Sequence, residues 1–289
     1  MDQVLRAIVE PGFFSSSSVQ LAAVVGGLVA LVAGGVGTFT VIRGQAFAGE
    51  ALGDIGAAGG SSAYLAGVAP LWGFLVASVA AAGVMEMIGI QRPRGRDLAT
   101  GIVLGAGLGL AALFLYLGTT YNNTTGATVT ILFGSIFALD PSTLPLVLVF
   151  GAIALGIVAV LYRPLLLSSV SPDLAAARGL RVPVIGSLYL IAMAVAVALS
   201  AVTIGAILST ALLVGPAATA LQLSSRPSRA IATAGLVGVA ATWLGILLAY
   251  DSYYWPPLHH GWPVSFFVVT LILIAYLASR WLTGRRAGP

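Results

Sequence analysis

Apolar runs of about twenty residues recur from residue 19 to residue 282, and the polar gaps between them are short. A hydrocarbon core about 30 Å thick needs about 20 helical residues to cross. The pattern therefore predicts spans at 19–42, 46–66, 68–90, 98–118, 145–162, 184–200, 203–222, 230–250 and 263–282. The expected fold class is all-α, a polytopic transmembrane bundle of about 8–9 spans. Residues 19–282 form one membrane domain, 1–18 an external segment and 283–289 a cytoplasmic tail. The stretch 124–140 is too short to cross and reads as a re-entrant or external half-helix, which needs protein or water over its backbone. Residues 2–14 read as an amphipathic segment on the outer surface. They lack the basic start and short apolar core of a secretory signal, so the 19–42 span is expected to be retained.

Composition agrees with the bilayer as solvent. Of 289 residues 59% are hydrophobic and 8% charged, with a mean hydropathy of +1.04. A soluble domain carries about 25% charged residues. There is no cysteine, which excludes disulfides, thiolate metal sites and cysteine nucleophiles. All thirteen basic residues are Arg, and the twelve from Arg43 onward orient the spans. Arg43, Arg92/Arg94/Arg96, Arg163, Arg178/Arg181, Arg226/Arg229 and Arg280/Arg285/Arg286 all fall on one side if the N-terminus is outside and the C-terminus inside. Loop arginines that set orientation account for the pI near 9.7 better than nucleic-acid binding does.

Against this apolar background, Glu50 and Asp54 stand out in FAGEALGDIGAAGG. Positions i and i+4 share a helix face. A carboxylate at the bilayer centre costs at least about 2.5–3.5 kcal/mol and usually faces protein or an aqueous path. Counted from Arg43 at 1.5 Å per residue, Glu50 lies about 10 Å deep and Asp54 about 16 Å. The pair thus reads as a cation pathway, the other reading being a buried carboxylate paired with Arg43 or capping a neighbouring helix. Oxygen ligands suit hard or borderline divalent ions such as manganese. His259 and His260 fall in the external, aromatic-rich DSYYWPPLHHGWP loop. With Asp251 they are candidate metal contacts at an outer mouth, while Tyr253, Tyr254, Trp255 and Trp262 read as an interfacial belt. Glu86 is expected to snorkel or pair with Arg92, Asp97 to cap the following helix, and Asp140 to sit in an external turn before Pro141.

The segment SPDLAAARGL (171–180) is polar and short. Ser171, Pro172 and Asp173 form a helix start, and Arg178–Gly179 a stop. It reads as a cytoplasmic helix, lying at the interface or fitting a groove on a cytosolic partner.

Four stretches in order, VIRGQAFAGEALGD (41–54), TILFGSIFAL (130–139), SPDLAAARGLRVP (171–183) and GAILSTALLVGPAATALQL (205–223), resemble the permease subunits of the zinc/manganese/iron ABC importer family. The likeness covers roughly 19–282, and 130–220 is more distantly similar to vitamin B12 and metal-chelate permeases. The resemblance implies a homodimer in the cytoplasmic membrane of a prokaryote, served by cytosolic ABC ATPase subunits and an external metal-binding protein. It implies that Ser171, Pro172, Asp173, Leu174, Arg178 and Gly179 belong to the ATPase-coupling helix, and that Gly205, Gly215 and Pro216 line the pore. Family members often carry Asp-x-x-x-His where this chain has Glu50 and Asp54. Replacing the histidine by Asp54 removes a nitrogen ligand and leans the site from zinc toward manganese or iron. With no lysine and no Gly-rich Lys motif the chain is not itself the ATPase. ATP is expected on the partner, and the divalent metal is cargo rather than a permanently bound cofactor. The implied mechanism is alternating access. Alternatives are a permease for a haem or metal chelate and a proton-coupled secondary transporter. An intramembrane enzyme lacks a nucleophile or metal triad.

Overall fold

The computed structural model describes residues 13, 16–91, 93–122, 125–253 and 261–284. Among these residues all regular structure is helical. The elements are α1 (Ser17–Ile42), α2 (Ala46–Leu65), α3 (Pro70–Ile88), α4 (Pro93–Asn122), α5 (Thr125–Phe133), a 3-10 turn (Ile136–Ala138), α6 (Thr143–Val160), α7 (Tyr162–Val170), α8 (Pro172–Ala177), α9 (Val182–Ile204), α10 (Ala206–Leu223), α11 (Pro227–Ser252) and α12 (Val264–Gly284). Eight are long and apolar enough to cross a membrane: α1, α3, α4, α6, α9, α10, α11 and α12. The remaining expected span is α2. It has the length of a crossing, 20 residues, but its Gly, Ala and Ser content and two carboxylates dilute its hydropathy.

Burial ranks the helices. Of the span windows in α1 and α9, 67% is buried, against 22% in α6 and 28% in α4 and α12. The first two form the axis, and the other three face outward. Helix α1 packs on α6, α9, α10 and α11, while α2 lies between α3 and α4 and also touches α9 and α10. At the centre Tyr189 of α9 is fully buried, and its hydroxyl donates to the Val36 carbonyl at 3.0 Å and lies 2.7 Å from Thr40 Oγ1. Satisfying the phenol in this way removes the cost of an unpaired polar group in an apolar interior.

Small residues let α2 sit close to its neighbours, which is how helices associate where lipid supplies no hydrophobic drive. Gly59 of α2 and Gly73 of α3 meet backbone to backbone, and a Cβ on Gly73 would lie 2.7 Å from the Ala63 Cβ. Nearby, Ser78 Oγ donates across the same interface to the Leu52 carbonyl at 3.0 Å. Gly59→Leu is expected to cost about 1–3 kcal/mol or more through overpacking. A lowered melting temperature in detergent checks this; an unchanged one contradicts the packing.

Several boundaries differ from the sequence reading. The very short connection at 201–202, for which the sequence also allows a broken helix, is helical, because α9 continues to Ile204, where Thr203 Oγ1 donates to the Ser200 carbonyl at 2.9 Å. The break is the single residue Gly205 at φ +92, a conformation that suits glycine. Gly134, ending α5, packs on it so closely that a Cβ there would lie 2.6 Å from the Gly205 nitrogen. The half-helix expected at 124–140 is α5 plus the 3-10 turn. At nine residues α5 is about 13 Å long, too short to cross. Helix α4 begins at Pro93, so Asp97 lies past its first turn and does not cap it. Glu86 Oε2 accepts from Gln91 Nε2 at 2.9 Å, and Arg92 lies outside the described residues. Helix α7 stands where the sequence reading placed a polar gap, held by Leu165, which is fully buried. Phe13 apart, the proposed surface segment 2–14 also lies outside the described residues.

Candidate functional site

Glu50 and Asp54 project from α2 on the side away from its glycine-packed faces. Gly49 lies against Leu213 of α10, and Gly53 against Ser209 of α10 and Val197 of α9. Both carboxylates are half-buried. Glu50 lines an open-sided cleft of about 790 Å³ between α2, α4, α10 and α12, with Leu104, Thr210, Gly215, Ile272 and Tyr276 among its walls. Asp54 lies one turn further along and faces α4, where a Cβ added to Gly107 would sit 3.1 Å from its Cβ. The rim of the cleft is apolar and exposed: Phe47 is 77% exposed and Leu273 54%.

Neither carboxylate is neutralised by a described neighbour. The Arg43 guanidinium donates to Ser168 Oγ (3.2 Å), Gln91 Oε1 (3.4 Å) and Gln45 Oε1 (3.4 Å), and lies 5.5 Å from the centre of the Tyr189 ring. Burial lowers the Arg43 pKa from its ordinary value. The pairing of Glu50 with Arg43 considered from sequence is therefore absent. Among the described residues no three His, Cys, Asp or Glu side chains converge. The described residues of one copy of the chain thus place two carboxylates, Glu50 and Asp54, one turn apart on α2.

The remaining expected site residues separate. Gly215 shares the cleft with Glu50. Pro216 is buried inside α10, and Gly205 lies at the α9–α10 break against Leu132 and Phe133 of α5; neither is in the cleft lining. Asp251 is half-buried in the last turn of α11. His259 and His260 lie outside the described residues. Sequence reasoning missed Thr210, whose Oγ1 is buried without a hydrogen-bond partner in the wall of the same cleft. Its place within the GAILSTALLVGPAATALQL stretch was the available signal.

The 171–180 segment folds as its end signals dictate. Ser171 Oγ accepts from the Leu174 N–H at 3.3 Å, and Asp173 occupies the first turn of α8. At the other end Arg178 is the C-cap, and Gly179 turns the chain at φ +77. Gly179 N–H then bonds Ala176 O (2.9 Å) and Leu180 N–H bonds Ala175 O (3.1 Å), closing the turn as in a Schellman motif. Ala175 is fully buried, whereas Leu174 is 47% exposed. The result is a rigid, surface-lying helix with an apolar side chain turned outward.

The model of the ABC 3 transport family matches residues 15–280. Among curated proteins, the chain is 29% identical over 270 residues to a manganese transport system membrane protein, MntC, of Halalkalibacterium halodurans, covering 90% of this chain and 89% of that one. A protein of the same name from Listeria monocytogenes is 27% identical over 239 residues, covering 83% and 84%. Among solved structures, PsaBC from Streptococcus pneumoniae in complex with Fab superposes with a TM-score of 0.78 at 24% identity, covering 93% of each chain. That last likeness concerns the fold.

Proposed function

Because the chain belongs to the ABC 3 transport family, we propose that it is the membrane-spanning permease subunit of an importer that moves a divalent transition metal, manganese foremost, by alternating access. It is a transport component and not an enzyme. The observation that carries the reading is the pair of unneutralised carboxylates, Glu50 beside the cleft and Asp54 one turn deeper. A cation leaving water is compensated there by carboxylate oxygens, and weak two-point contact lets it depart again. The absence of cysteine and the carboxylate at position 54 favour manganese or iron over zinc. The manganese systems named for the relatives point the same way.

An open cleft with a carboxylate in its wall is a poor surface to present to hydrocarbon. A second copy of the chain covering the Phe47–Leu273 rim would bring the two pairs of carboxylates to one shared passage, which supports the homodimer. The N-terminus lies outside and the C-terminus inside, an orientation supported by the Arg groups from Arg43 onward, which then share the cytoplasmic side. Cytosolic ATPase subunits dock on α8, and an external binding protein delivers the metal. His259, His260 and Asp251 serve as contacts at the outer mouth.

Competitive uptake tests this. Vesicles carrying the permease and its ATPase are expected to accumulate radiolabelled manganese(II) only with ATP. Unlabelled manganese should compete better than zinc. Uptake that persists without ATP under a proton gradient contradicts the importer and favours a secondary transporter. Competition by a haem or metal chelate alone contradicts the free-ion reading.

A further inference from the structure

Arg43 occupies an unusual crossroads. It belongs to the short link between α1 and α2, a link hydrogen-bonded at both ends: Arg43 N–H to the Phe39 carbonyl (2.9 Å), Gln45 N–H to Thr40 (2.9 Å), and Gly49 N–H to the Gln45 carbonyl (3.1 Å). The turn that starts α2, two turns below Asp54, is thus hydrogen-bonded to Gln45, whose side-chain Oε1 in turn accepts from Arg43 Nε at 3.4 Å. The guanidinium reaches the opposite way. One terminal nitrogen donates to Ser168 on α7 and the other to Gln91 in the α3–α4 turn, while Gln91 donates to Glu86 of α3. Arg96 of α4 completes the enclosure by donating to the Arg43 carbonyl at 3.2 Å.

Ser168 connects to the coupling segment. It is buried, and its residue lies three positions before Ser171, the N-cap of α8. Ser171 N–H bonds Leu167 O at 3.0 Å and Ala175 N–H bonds Ser171 O at 3.1 Å, so α7 and α8 are hydrogen-bonded across their junction. Ser168 is thus tied through α7 to the N-cap of α8, and its Oγ accepts from Arg43 at 3.2 Å.

We infer that Arg43 is a positioning residue that carries displacement of the α7–α8 unit to the helix bearing Glu50 and Asp54. This rests on the permease reading given above. Arginine fits the task because its planar fork holds two acceptors in fixed directions at once, whereas a lysine ammonium is a point charge on a flexible stem. A residue that only fills space at this junction would affect stability alike in every state. One that transmits movement alters how much metal crosses per ATP hydrolysed.

The test uses the full complex of permease, ATPase and external binding protein in proteoliposomes. Uptake of radiolabelled manganese(II) and ATP hydrolysis are measured on the same sample. Substitutions along a coupling route shift coupling by amounts that correspond to about two- to thirty-fold, and a loss in that range is expected for manganese moved per ATP in Arg43→Gln, with hydrolysis retained. Ser168→Ala should lower the ratio in the same direction, and Arg43→Lys should restore part of it. An unchanged ratio in Arg43→Gln overturns the inference. If that variant does not assemble, Ser168→Ala decides: a lowered ratio supports the route and an unchanged one removes it. Wild-type complex that moves none of manganese, iron and zinc would sink the permease reading itself, and this inference with it.

Discussion

Glu50→Gln and Asp54→Asn should each reduce manganese uptake by at least about ten-fold while leaving the protein folded and in the membrane. The magnitude follows from electrostatics. A unit charge pair about 4 Å apart is worth on the order of 4 kcal/mol at an effective dielectric near 20, and every 1.4 kcal/mol is tenfold. A divalent ion that loses one of two compensating charges therefore meets a much higher barrier. The stability arm carries equal weight. Neither carboxylate is ion-paired among the described residues, so neutralising it removes a desolvation cost and breaks no bridge. A melting temperature equal to or above wild type, with uptake lost, is the expected combination. Retained uptake with intact ATPase coupling contradicts the pathway. Collapse of the fold would instead assign the pair a structural role.

The second large effect concerns α8. Its outward Leu174 is 47% exposed on a helix otherwise anchored by buried Ala175. Leu174→Asp places a charge at the proposed docking point without touching the bundle. An interface anchor is worth about 2 kcal/mol or more, close to a thirty-fold change in affinity. Co-purification of the ATPase should fall accordingly, while the permease keeps its melting temperature. Ala175→Glu, which would bury a carboxylate under α8, should lose the ATPase and some stability together. ATPase binding that survives both changes would mean that the partner docks elsewhere.

The membrane architecture was legible because hydropathy and length act locally: every expected span has a helix in its place. Helix α2 was legible for a different reason. Its mean hydropathy is low, yet the i, i+4 carboxylates and frequent small residues mark a helix that is enclosed by others. What could not be read depends on partners distant in sequence. Nothing local says that α9 runs past 201–202 to Ile204, since Thr203 and Gly205 read as the start of the next span until Gly134 is seen to pack against the break at Gly205. Nor does the Arg163–Pro164 pair announce a helix; α7 exists because Leu165 finds a buried place. The cleft is likewise tertiary. Glu50 is legible from spacing, but Thr210 lies 160 residues away in sequence and shares its cleft only through the packing of α2 on α10. Arg43 was read as an orienting charge and as a partner for Glu50. Its actual contacts, Gln45, Gln91 and Ser168, include two that are distant in sequence, Gln91 in the α3–α4 turn and Ser168 on α7.

The natural absence of cysteine makes the central claim directly measurable. A single cysteine introduced by Asp54→Cys, and another by Glu50→Cys, can be exposed to a membrane-impermeant cationic thiol reagent in vesicles carrying the assembled complex. If these positions line a hydrated cation passage, both will be labelled, and manganese(II) will slow the labelling. Modification confined to lipid-soluble reagents, indifferent to manganese, would contradict the account.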